Sequence, residues 1–304
     1  MGECAHPMKT AREAATLLGR VGVWSADPER MTASDARRFA NEVEALGFKA
    51  LWIQESLGSK EIFSHAAILL AATQTLIIAT GIANSWARDP VAMANGAKTL
   101  TEAYPDRFLL GIGASHKSSV ALRGGDYRKP LQHMRAYLDA MDKAPFVGPN
   151  RDEPPAPRVL AALGPQMLQL AKERSLGALP YFVPVEHTAF ARKILGAEPL
   201  LAVEQAAVVG LDREKAIAAT KRHMKYYLAL ENYANGLRRL GWADADLADV
   251  GSDTLRDAIV ATGDVTATAE RVAAHHAAGA DHVCLQVLGG DSIVQLRAIA
   301  KALG

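Results

Sequence analysis

The feature that most constrains the fold is an alternation of short apolar runs with longer helical patterns along the 304-residue chain. Eight such runs are almost continuously apolar, as expected of parallel strands whose two faces are both covered. In chain order the predicted strands cover Arg20–Ser25, Ala50–Gln54, Leu76–Ala83, Phe108–His116, Arg158–Leu163, Ala178–Val183, Pro199–Val209 and His282–Leu288. Strands that alternate with helices in this way favour a parallel α/β sheet.

The segments between these runs have helical spacing and recognisable ends. A capping segment at Met31–Asp35 precedes one helix, which ends at Gly47, and Pro90 begins another that Pro105 ends. Further helices are predicted at about Ser64–Thr73, at Pro130–Met141, after Gly164-Pro165, at about Val185–Leu195 and up to about Leu303. Residues 144–157 carry five prolines and predict an irregular connection.

Eight strand–helix units in a chain of this length predict a single domain, residues 1–304, folded as a (β/α)₈ TIM barrel. A doubly wound open sheet is the competing fold, but no dinucleotide fingerprint follows the first strand. The longest connection lies between the seventh and eighth strands and is predicted to be a helical insertion over the catalytic end of the barrel.

Composition excludes several classes of protein. The net charge of +1 gives no field that would recruit nucleic acid or an anionic membrane, and no apolar run reaches transmembrane length. Two cysteines and the lack of an apolar leader favour a reducing, cytoplasmic location.

Adjacent His275 and His276 cannot both face one metal ion, and no serine-hydrolase elbow surrounds Ser115, so neither a metal site nor a hydrolase is expected.

The fourth predicted strand ends in FLLGIGASH, residues 108–116. This stretch lacks the third glycine of a dinucleotide loop and the Gly-Lys-Ser ending of a phosphate loop. Small residues at the end of a strand allow a flat ligand to approach the backbone, although the two glycines could instead only relieve crowding inside a barrel.

Several segments together resemble one family. They are Gly22-Val23-Trp24, Gly47–Trp52, Thr80-Gly81-Ile82, Arg88-Asp89-Pro90, Thr99-Leu100, Asp106-Arg107-Phe108, Leu110–Ala114 and Ala278–Val283. In this order, over nearly the whole chain, they resemble the bacterial luciferase-like flavin and deazaflavin oxidoreductases, and most of all the branch that uses coenzyme F420. The chain departs from the family's usual pattern at Gln54-Glu55-Ser56 and at Ala114-Ser115-His116, where several members have substrate-specific residues.

The resemblance implies a flavin or deazaflavin ring across the barrel mouth, a cis peptide bond at Gly81-Ile82 beneath it, and a homodimer. It implies cofactor contacts from Trp24, Gln54, Gly81, Ile82, Asn84, Gly113, Ala114, Ser115, Gly164, Pro165, Tyr181, Val183, Thr188 and Arg192. Several of these have plainer alternatives: Trp24 as core packing, Asn84 as a turn residue and Arg192 as an exposed helix residue.

Glu55 and His116 are the candidate catalytic residues. A buried carboxyl can act as an acid, and histidine titrates near neutrality. The alternatives are an ion pair of Glu55 with Lys60 or an arginine, and a solvated loop histidine.

The expected activity is hydride transfer between F420 and a small organic substrate. An FMN-dependent two-component monooxygenase and a non-catalytic flavin-binding protein stay open as alternatives. Four aromatic residues in the long connection, Tyr226, Tyr227, Tyr233 and Trp242, form either a core stripe or a lid over the substrate.

Overall fold

The computed structural model describes residues 8–149 and 155–303, so Cys4 and part of the proline-rich connection lie outside the described residues. The strands are β1 Val21–Ser25, β2 Ala50–Ile53, β3 Ile77–Thr80, β4 Ala83–Asn84, β5 Phe108–Gly113, β6 Arg158–Leu160, β7 Gly177–Ala178, β8 Leu200–Val209, β9 Val260–Gly263 and β10 His282–Val287. Neighbouring strands pair in parallel in the order β10-β1-β2-β3-β5-β6-β7-β8, and β8 pairs with β10 to close the ring. This is the predicted eight-stranded barrel.

The helices are α1 Ala11–Leu18, α2 Asp27–Arg30, α3 Ala33–Ala45, α4 Ile62–Leu70, α5 Pro90–Ala103, α6 Lys117–Ala121, α7 Pro130–Asp142, α8 Pro165–Arg174, α9 Val185–Leu195, α10 Arg213–Leu228, α11 Glu231–Arg239, α12 Asp244–Leu247, α13 Asp253–Ile259, α14 Val265–Ala277 and α15 Ser292–Leu303. The cap predicted before α3 is Thr32, whose hydroxyl accepts the amide hydrogen of Asp35. Asp89 caps α5 in the same way, with Pro90 in the first turn. None of the described helices is long and apolar enough to cross a membrane.

The predicted strands are shorter in the structure, and the third is also interrupted; the fourth, for example, ends at Gly113 rather than His116. The third strand breaks at Gly81-Ile82, which is a cis peptide bond, and resumes as β4. At the break the Thr80 hydroxyl satisfies the backbone of Gly111 in place of a strand partner. It donates to the Gly111 carbonyl and accepts from the Gly111 amide. The fifth strand ends at Leu160 rather than Leu163, and the sixth is reduced to Gly177–Ala178. In each case the remaining residues line the barrel mouth or support it.

The connection between β8 and β10 is not wholly helical, because it contains a strand that the sequence reading missed. Val260–Gly263 pairs with Ala206–Val209, the second half of the ten-residue strand β8. Within β8, the strand β7 pairs only with Leu200 and Leu201. The extra strand β9 therefore continues the ladder on β8 beyond the point where β7 ends, and it anchors the helical insertion to the barrel.

The amino end of the barrel is filled by packed side chains. Ala14 and Leu18 of α1 belong to the same buried apolar cluster as Trp52 and Leu109 inside the barrel. The buried His282 receives a hydrogen bond from Trp52 Nε1 (3.1 Å), and a β-carbon on Gly22 would lie only 2.7 Å from its ring. Because this end is packed, a ligand site has to lie at the carboxyl ends of the strands.

Candidate active site

A cavity of about 740 Å³ lies at the carboxyl ends of the barrel strands, beneath helices α10 and α11. Residues at or just after the carboxyl ends of β1, β2, β3, β5, β6 and β7 all contribute to its lining. Fifteen residues that the sequence singled out for cofactor, catalysis or lid line it: Trp24, Gln54, Glu55, Gly81, Ile82, Asn84, Gly113, Ala114, Ser115, His116, Gly164, Tyr181, Tyr226, Tyr227 and Tyr233. The topology thus brings residues from distant parts of the chain to one place.

Four predicted cofactor contacts do not line this cavity. Pro165 is in the first turn of α8 beside it, and Val183 is buried in the layer between strands and helices. Thr188 is fully buried, with its hydroxyl 2.7 Å from Nδ1 of His275. Arg192 binds Asp281 and the carbonyl of Pro199, which precede the amino ends of β10 and β8. The structure therefore places Thr188 and Arg192 outside the cavity, in contacts within the fold, and does not bring them to the other predicted cofactor contacts.

Glu55 and Arg88 form a buried ion pair, which we call the clamp, and Glu55 is its acceptor. Its carboxylate pairs with the guanidinium of Arg88 through both oxygens, and Oε2 also accepts the amide hydrogen of Asn84 at 2.8 Å. The side chains are only 5% and 11% exposed. A carboxylate that accepts from three donors has no hydrogen to give, so the geometry replaces the expected proton-donor role of Glu55 with one of holding the segment after β3 in place.

Arg88 ties this clamp to the surrounding helices. Its guanidinium also contacts Glu61 at 3.1 Å, the N-terminal cap of α4, and its carbonyl accepts from the hydroxyl of Tyr137 at 2.8 Å. Burial opposes the charge of Arg88, but the hydrogen bonds and charges of Glu55 and Glu61 outweigh it and raise the pKa of the guanidinium. The guanidinium of Arg88 therefore stays charged.

His116 lines the cavity with Asn232 of α11 beside it. Its Nδ1 lies 3.2 Å from Oδ1 of Asn232. An amide oxygen only accepts, so Nδ1 carries the hydrogen and Nε2 is the unprotonated nitrogen of the neutral ring. Burial lowers the pKa of His116 from its usual value of 6.5, and the hydrogen bond to Asn232 offsets this only in part. At neutral pH the imidazole is uncharged and can take up a proton at Nε2.

The floor of the cavity is built from small residues. They come from the ends of β3, β5 and β6 and are Gly81, Gly113, Ala114, Ala161, Ala162 and Gly164. A β-carbon on Gly113 would lie 2.9 Å from the Ile82 side chain and 3.1 Å from Cβ of Ala161, so glycine is required for this close packing. The result is a floor of mostly small residues, with Ile82 as the one larger side chain among them that lines the cavity at the end of β3.

Trp24 and Asn84 fix the edges of this floor. The indole Nε1 of Trp24 donates to the Gly81 carbonyl at 3.1 Å, and the ring is 2% exposed. Oδ1 of Asn84 accepts the amide hydrogen of Trp86, so Asn84 has the turn role that the sequence left open. Gln54 donates from Nε2 to Glu29 at 2.9 Å.

Tyrosines from the insertion cover the cavity and also belong to a buried apolar cluster. Tyr227 and Tyr233 pack beside Tyr181, with ring centroids 5.0 and 6.1 Å away. The hydroxyl of Tyr181 lies 2.7 Å from that of Tyr227 and 2.7 Å from Oε1 of Gln286. The core-stripe and lid interpretations therefore describe the same side chains. Tyr226 lies at the exposed rim, and Trp242 packs against the cluster without lining the cavity.

A buried carboxyl, Glu204 of β8, lies behind this aromatic cover. Its Oε2 accepts the amide hydrogen of Phe182 at 3.0 Å, and its Oε1 has no hydrogen-bond partner among the described residues. Phe182 has a φ of 56°, a left-handed conformation that is uncommon for a residue with a side chain. Burial raises the pKa of Glu204 to about 8. Glu204 is thus protonated at neutral pH and holds the turn that presents Tyr181.

This raised pKa predicts that the contribution of Glu204 to stability is lost as the pH increases from 6.5 to 8. The pKa of Glu204 is about 8 in the folded state against 4.5 as its usual value, so the folded chain holds a proton that the unfolded chain releases. This contribution to the free energy of unfolding should fall by about 1 kcal/mol per pH unit in this window, whereas buried histidines such as His223 and His275, whose pKa is lowered, act in the opposite direction. Urea unfolding at several pH values measures it.

Glu204→Gln is the matched variant, because it keeps an acceptor for the Phe182 amide without a titrating proton. Relative to the unchanged protein, its free energy of unfolding should therefore rise by about 1 kcal/mol per pH unit between pH 6.5 and 8, because the contribution of the histidines is common to both proteins and cancels. The same slope in both proteins would show that Glu204 is not the responsible group.

Arg239 places a positive charge at the end of the cavity near Gly164, and the sequence did not single out this residue. The guanidinium nitrogens of Arg239 lie 3.7 Å from where a β-carbon on Gly164 would be. Gly164 is the N-terminal cap of the ten-residue helix α8. No carboxylate of the described residues lies within ion-pair distance of Arg239, whereas the preceding Arg238 pairs with Asp244 at 2.7 Å.

Sequence reasoning missed Arg88, Asn232, Arg239, Glu204 and Gln286. A signal existed for Arg88, because it stands in the Arg-x-Pro segment that carries the family resemblance. Asn232 and Arg239 gave none, since the sequence does not say which face of α11 turns toward the barrel. Among residues 8–149 and 155–303 there is no group of three or more His, Cys, Asp or Glu placed to hold a metal ion.

A model of the luciferase-like monooxygenase family matches residues 14–282 of this chain. A 5,10-methylenetetrahydromethanopterin reductase of Archaeoglobus fulgidus is 29% identical over 151 residues, which are 45% of this chain and 46% of that protein. A protein of Mycobacterium tuberculosis described as a coenzyme F420-dependent oxidoreductase is 25% identical over an alignment covering 95% of this chain and 99% of the relative. The chain therefore matches about half the length of the first relative and nearly all of the second.

The fold also matches solved structures at low sequence identity. An F420-dependent secondary alcohol dehydrogenase in complex with an F420-acetone adduct superposes with a TM-score of 0.74 at 16% identity, over 94% of this chain and 99% of that chain. At this identity the likeness concerns the barrel fold.

Proposed function

This chain belongs to the luciferase-like monooxygenase family, and we propose that it is an oxidoreductase that transfers a hydride between coenzyme F420 and a small organic substrate. Support for F420 comes from the mycobacterial relative, which the match covers almost completely. Whether F420 can bind to this chain depends on the size and the lining of the cavity.

The observation that carries the proposal is the small-residue floor at the carboxyl ends of β3, β5 and β6. A flat ring can lie against backbone there, since Gly81, Gly113, Ala114 and Ala161 present at most a methyl group. Trp24 bounds the same space. The floor and its position at the catalytic end of a barrel fit a tricyclic deazaflavin.

Arg239 and the first turn of α8 would bind the anionic tail of the cofactor. Amide groups at a helix N-terminus favour an anion, and an arginine beside them adds charge-assisted hydrogen bonds. Gly164 leaves room for close approach, because no side chain stands between the helix cap and the Arg239 guanidinium.

Bound F420 would supply a carbon centre that gives or accepts a hydride. His116 would handle the accompanying proton: Nε2 accepts it from a substrate hydroxyl during oxidation, and the imidazolium returns it during reduction. Asn232 fixes the tautomer by accepting from Nδ1. Glu55 and Arg88 would act as positioning residues through the segment that carries Ile82 and Asn84.

Titration of the purified chain with F420 and, separately, with FMN tests the proposal, followed by cofactor fluorescence. Saturable binding of F420 in preference to FMN is the expected result. A preference for FMN would assign the chain to the two-component monooxygenase alternative. Failure to bind either cofactor would refute the functional proposal, while binding of F420 without turnover of any donor or acceptor would favour a carrier protein.

The Arg239→Ala variant should bind F420 about tenfold more weakly, with a reduced dependence on salt, because one charged hydrogen-bond donor to the tail is lost. Arg238→Ala is the matched control, since Arg238 is the neighbouring cation and is already paired with Asp244. Equal affinities of the two variants for F420 would remove Arg239 from the proposed tail site. Both values come from the same fluorescence titration.

The proposal includes a homodimer in the cytoplasm. The use of only two cysteines in 304 residues, one of them the buried Cys284, fits a reducing compartment. Sedimentation of the purified chain measures the oligomeric state.

A further inference from the structure

One wall of the cavity is a continuous series of aromatic rings. It starts at Trp24, whose centroid lies 5.1 Å from Tyr181, and continues from Tyr181 to Tyr233 at 6.1 Å. Tyr233 lies 5.5 Å from the ring of His116, and Tyr227 packs against both tyrosines. All five rings line the cavity. We call these five rings, Trp24, Tyr181, Tyr227, Tyr233 and His116, the aromatic wall.

Charged groups are scarce around this wall. Among the described residues that line the cavity, the only charged side chains are Glu55 and Arg239, given that His116 is neutral. Both oxygens of Glu55 are already bound by Arg88. Arg239 lies at a different place in the cavity, beside Gly164 at the N-terminal cap of α8. A carboxylate or phosphate of a substrate would therefore meet no cation at the aromatic wall, and an unpaired anion there would lose its hydration without compensation.

Two polar groups of the wall are already engaged. The Tyr181 hydroxyl lies within hydrogen-bond distance of Tyr227 and Gln286, and Trp24 uses its single donor on the Gly81 carbonyl. Nε2 of His116 and the hydroxyl of Tyr233, by contrast, have no hydrogen-bond partner among the described residues. Of these two, the unprotonated Nε2 acts only as an acceptor, so it is the point of the wall best able to take the hydrogen of a substrate hydroxyl.

The rim of the cavity is apolar as well. Leu57, Leu122 and Tyr226 line the mouth and are 50%, 72% and 61% exposed. Single exposed apolar side chains are common on protein surfaces, but these three lie together at the entrance of one cavity. The Tyr226 ring lies 4.9 Å from that of Tyr227, so this part of the rim continues the aromatic wall outward, where the apolar body of a ligand would contact it.

From these observations we propose that the substrate is an uncharged molecule with a flat, largely apolar body and one hydroxyl or carbonyl group. This inference rests on the proposed function, which supplies the redox role of the site. The body lies against Tyr181, Tyr227 and Tyr233, and the oxygen lies at Nε2 of His116, a hydroxyl donating to that nitrogen. Substrates whose recognition depends on a phosphate or carboxylate are excluded by the lack of a partner cation.

Calorimetric titration of the F420-loaded chain with three matched probes tests the inference. The probes are methyl 2-naphthyl carbinol, the same carbinol carrying an ionised carboxylate on the distal ring, and the saturated decalin carbinol. The neutral naphthyl carbinol should bind at least about tenfold more tightly than the carboxylate, and about three- to tenfold more tightly than the decalin. Equal affinities, a preference for the carboxylate, or no heat from the neutral carbinol up to millimolar concentration would overturn it.

Two substitutions sharpen this test. Leu122→Arg places a cation at the exposed rim, where folding is not at stake, and should raise the affinity for the carboxylate probe relative to that for the neutral carbinol. Tyr233→Phe keeps the ring and should retain binding of the neutral carbinol, whereas Tyr233→Leu should weaken it about three- to tenfold. Identical affinities of the Phe and Leu variants for the carbinol would contradict a stacking role.

The cofactor titration is performed first and separately, so that the two proposals fail in different ways. If F420 does not bind, the proposed function fails, and the same probes titrated into the chain alone still report on the charge selectivity of the wall. If F420 binds and the carboxylate probe is preferred, the proposed function stands and the substrate class is wrong.

Discussion

Replacing His116 by alanine should lower kcat by about 10²–10⁴ at neutral pH, with the affinity for F420 unchanged. The reason is the geometry of the pair with Asn232, which leaves Nε2 unprotonated and without a partner. In the alanine variant no group at this point of the wall can take or return the substrate proton. Steady-state kinetics with the preferred carbinol, together with the fluorescence titration of F420, measure the two quantities.

The pH profile separates a proton-transfer role of His116 from a purely structural one. Because burial lowers its pKa from 6.5, oxidation of an alcohol should remain active below pH 6.5 and decline only as the ring becomes protonated. Asn232→Asp places a carboxylate beside Nδ1, which stabilises the imidazolium and should move this decline to higher pH. An acid limb at the same pH in both proteins, or an alanine variant with full kcat, would remove His116 from the chemistry.

The architecture was predictable from the sequence because each barrel strand is covered on both faces. Runs such as Ala50–Ile53 and Leu200–Val209 are wholly buried, and their nearly continuous apolar character follows from this burial. The strand Val260–Gly263 was missed because half of it is exposed and its letters, VATG, carry little apolar weight. Its assignment depends on pairing with β8, which is a long-range contact that no local pattern encodes.

The site was predictable in part, for a related reason. Residues at the ends of strands come together in any barrel, so Gly81, Gly113 and His116 could be placed near one another without coordinates. Side chains on helices are different, because a helix can present any face to the barrel. Thr188 and Arg192 follow a barrel strand in the chain, yet they turn to His275 and Asp281, while Asn232 and Arg239 of α11 reach the cavity from a helix that the sequence only marked as an insertion.

The role of Glu55 shows where residue chemistry alone is insufficient. A carboxyl at the end of a strand is equally suited to proton transfer and to an ion pair, and the sequence left both open. Arg88 decides between them, because it lies 33 residues further on and binds both oxygens. This pair is also the strongest candidate for a residue contact that supports fold and site together.

Replacing Arg88 by methionine should lower the free energy of unfolding by about 3–5 kcal/mol, since it leaves the Glu55 carboxylate buried without its partner. Urea unfolding measures this loss. The matched control is Arg128→Met, because the Arg128–Asp126 pair is 86% and 56% exposed and is screened by water, so its loss should change the free energy of unfolding far less. Similar losses for the two variants would mean that burial adds nothing to the Arg88 pair.

The double variant Glu55→Met with Arg88→Met separates the contribution of the clamp to stability from its contribution to the site. Replacing a buried ion pair by apolar side chains of similar size is often close to neutral, so the double variant should recover most of the stability that Arg88→Met loses. It cannot recover the hydrogen bond from the Asn84 amide to Glu55, which holds the segment after β3 beside Ile82. We therefore expect a stable double variant with weakened F420 binding, whereas a stable double variant that binds F420 normally would limit the clamp to folding.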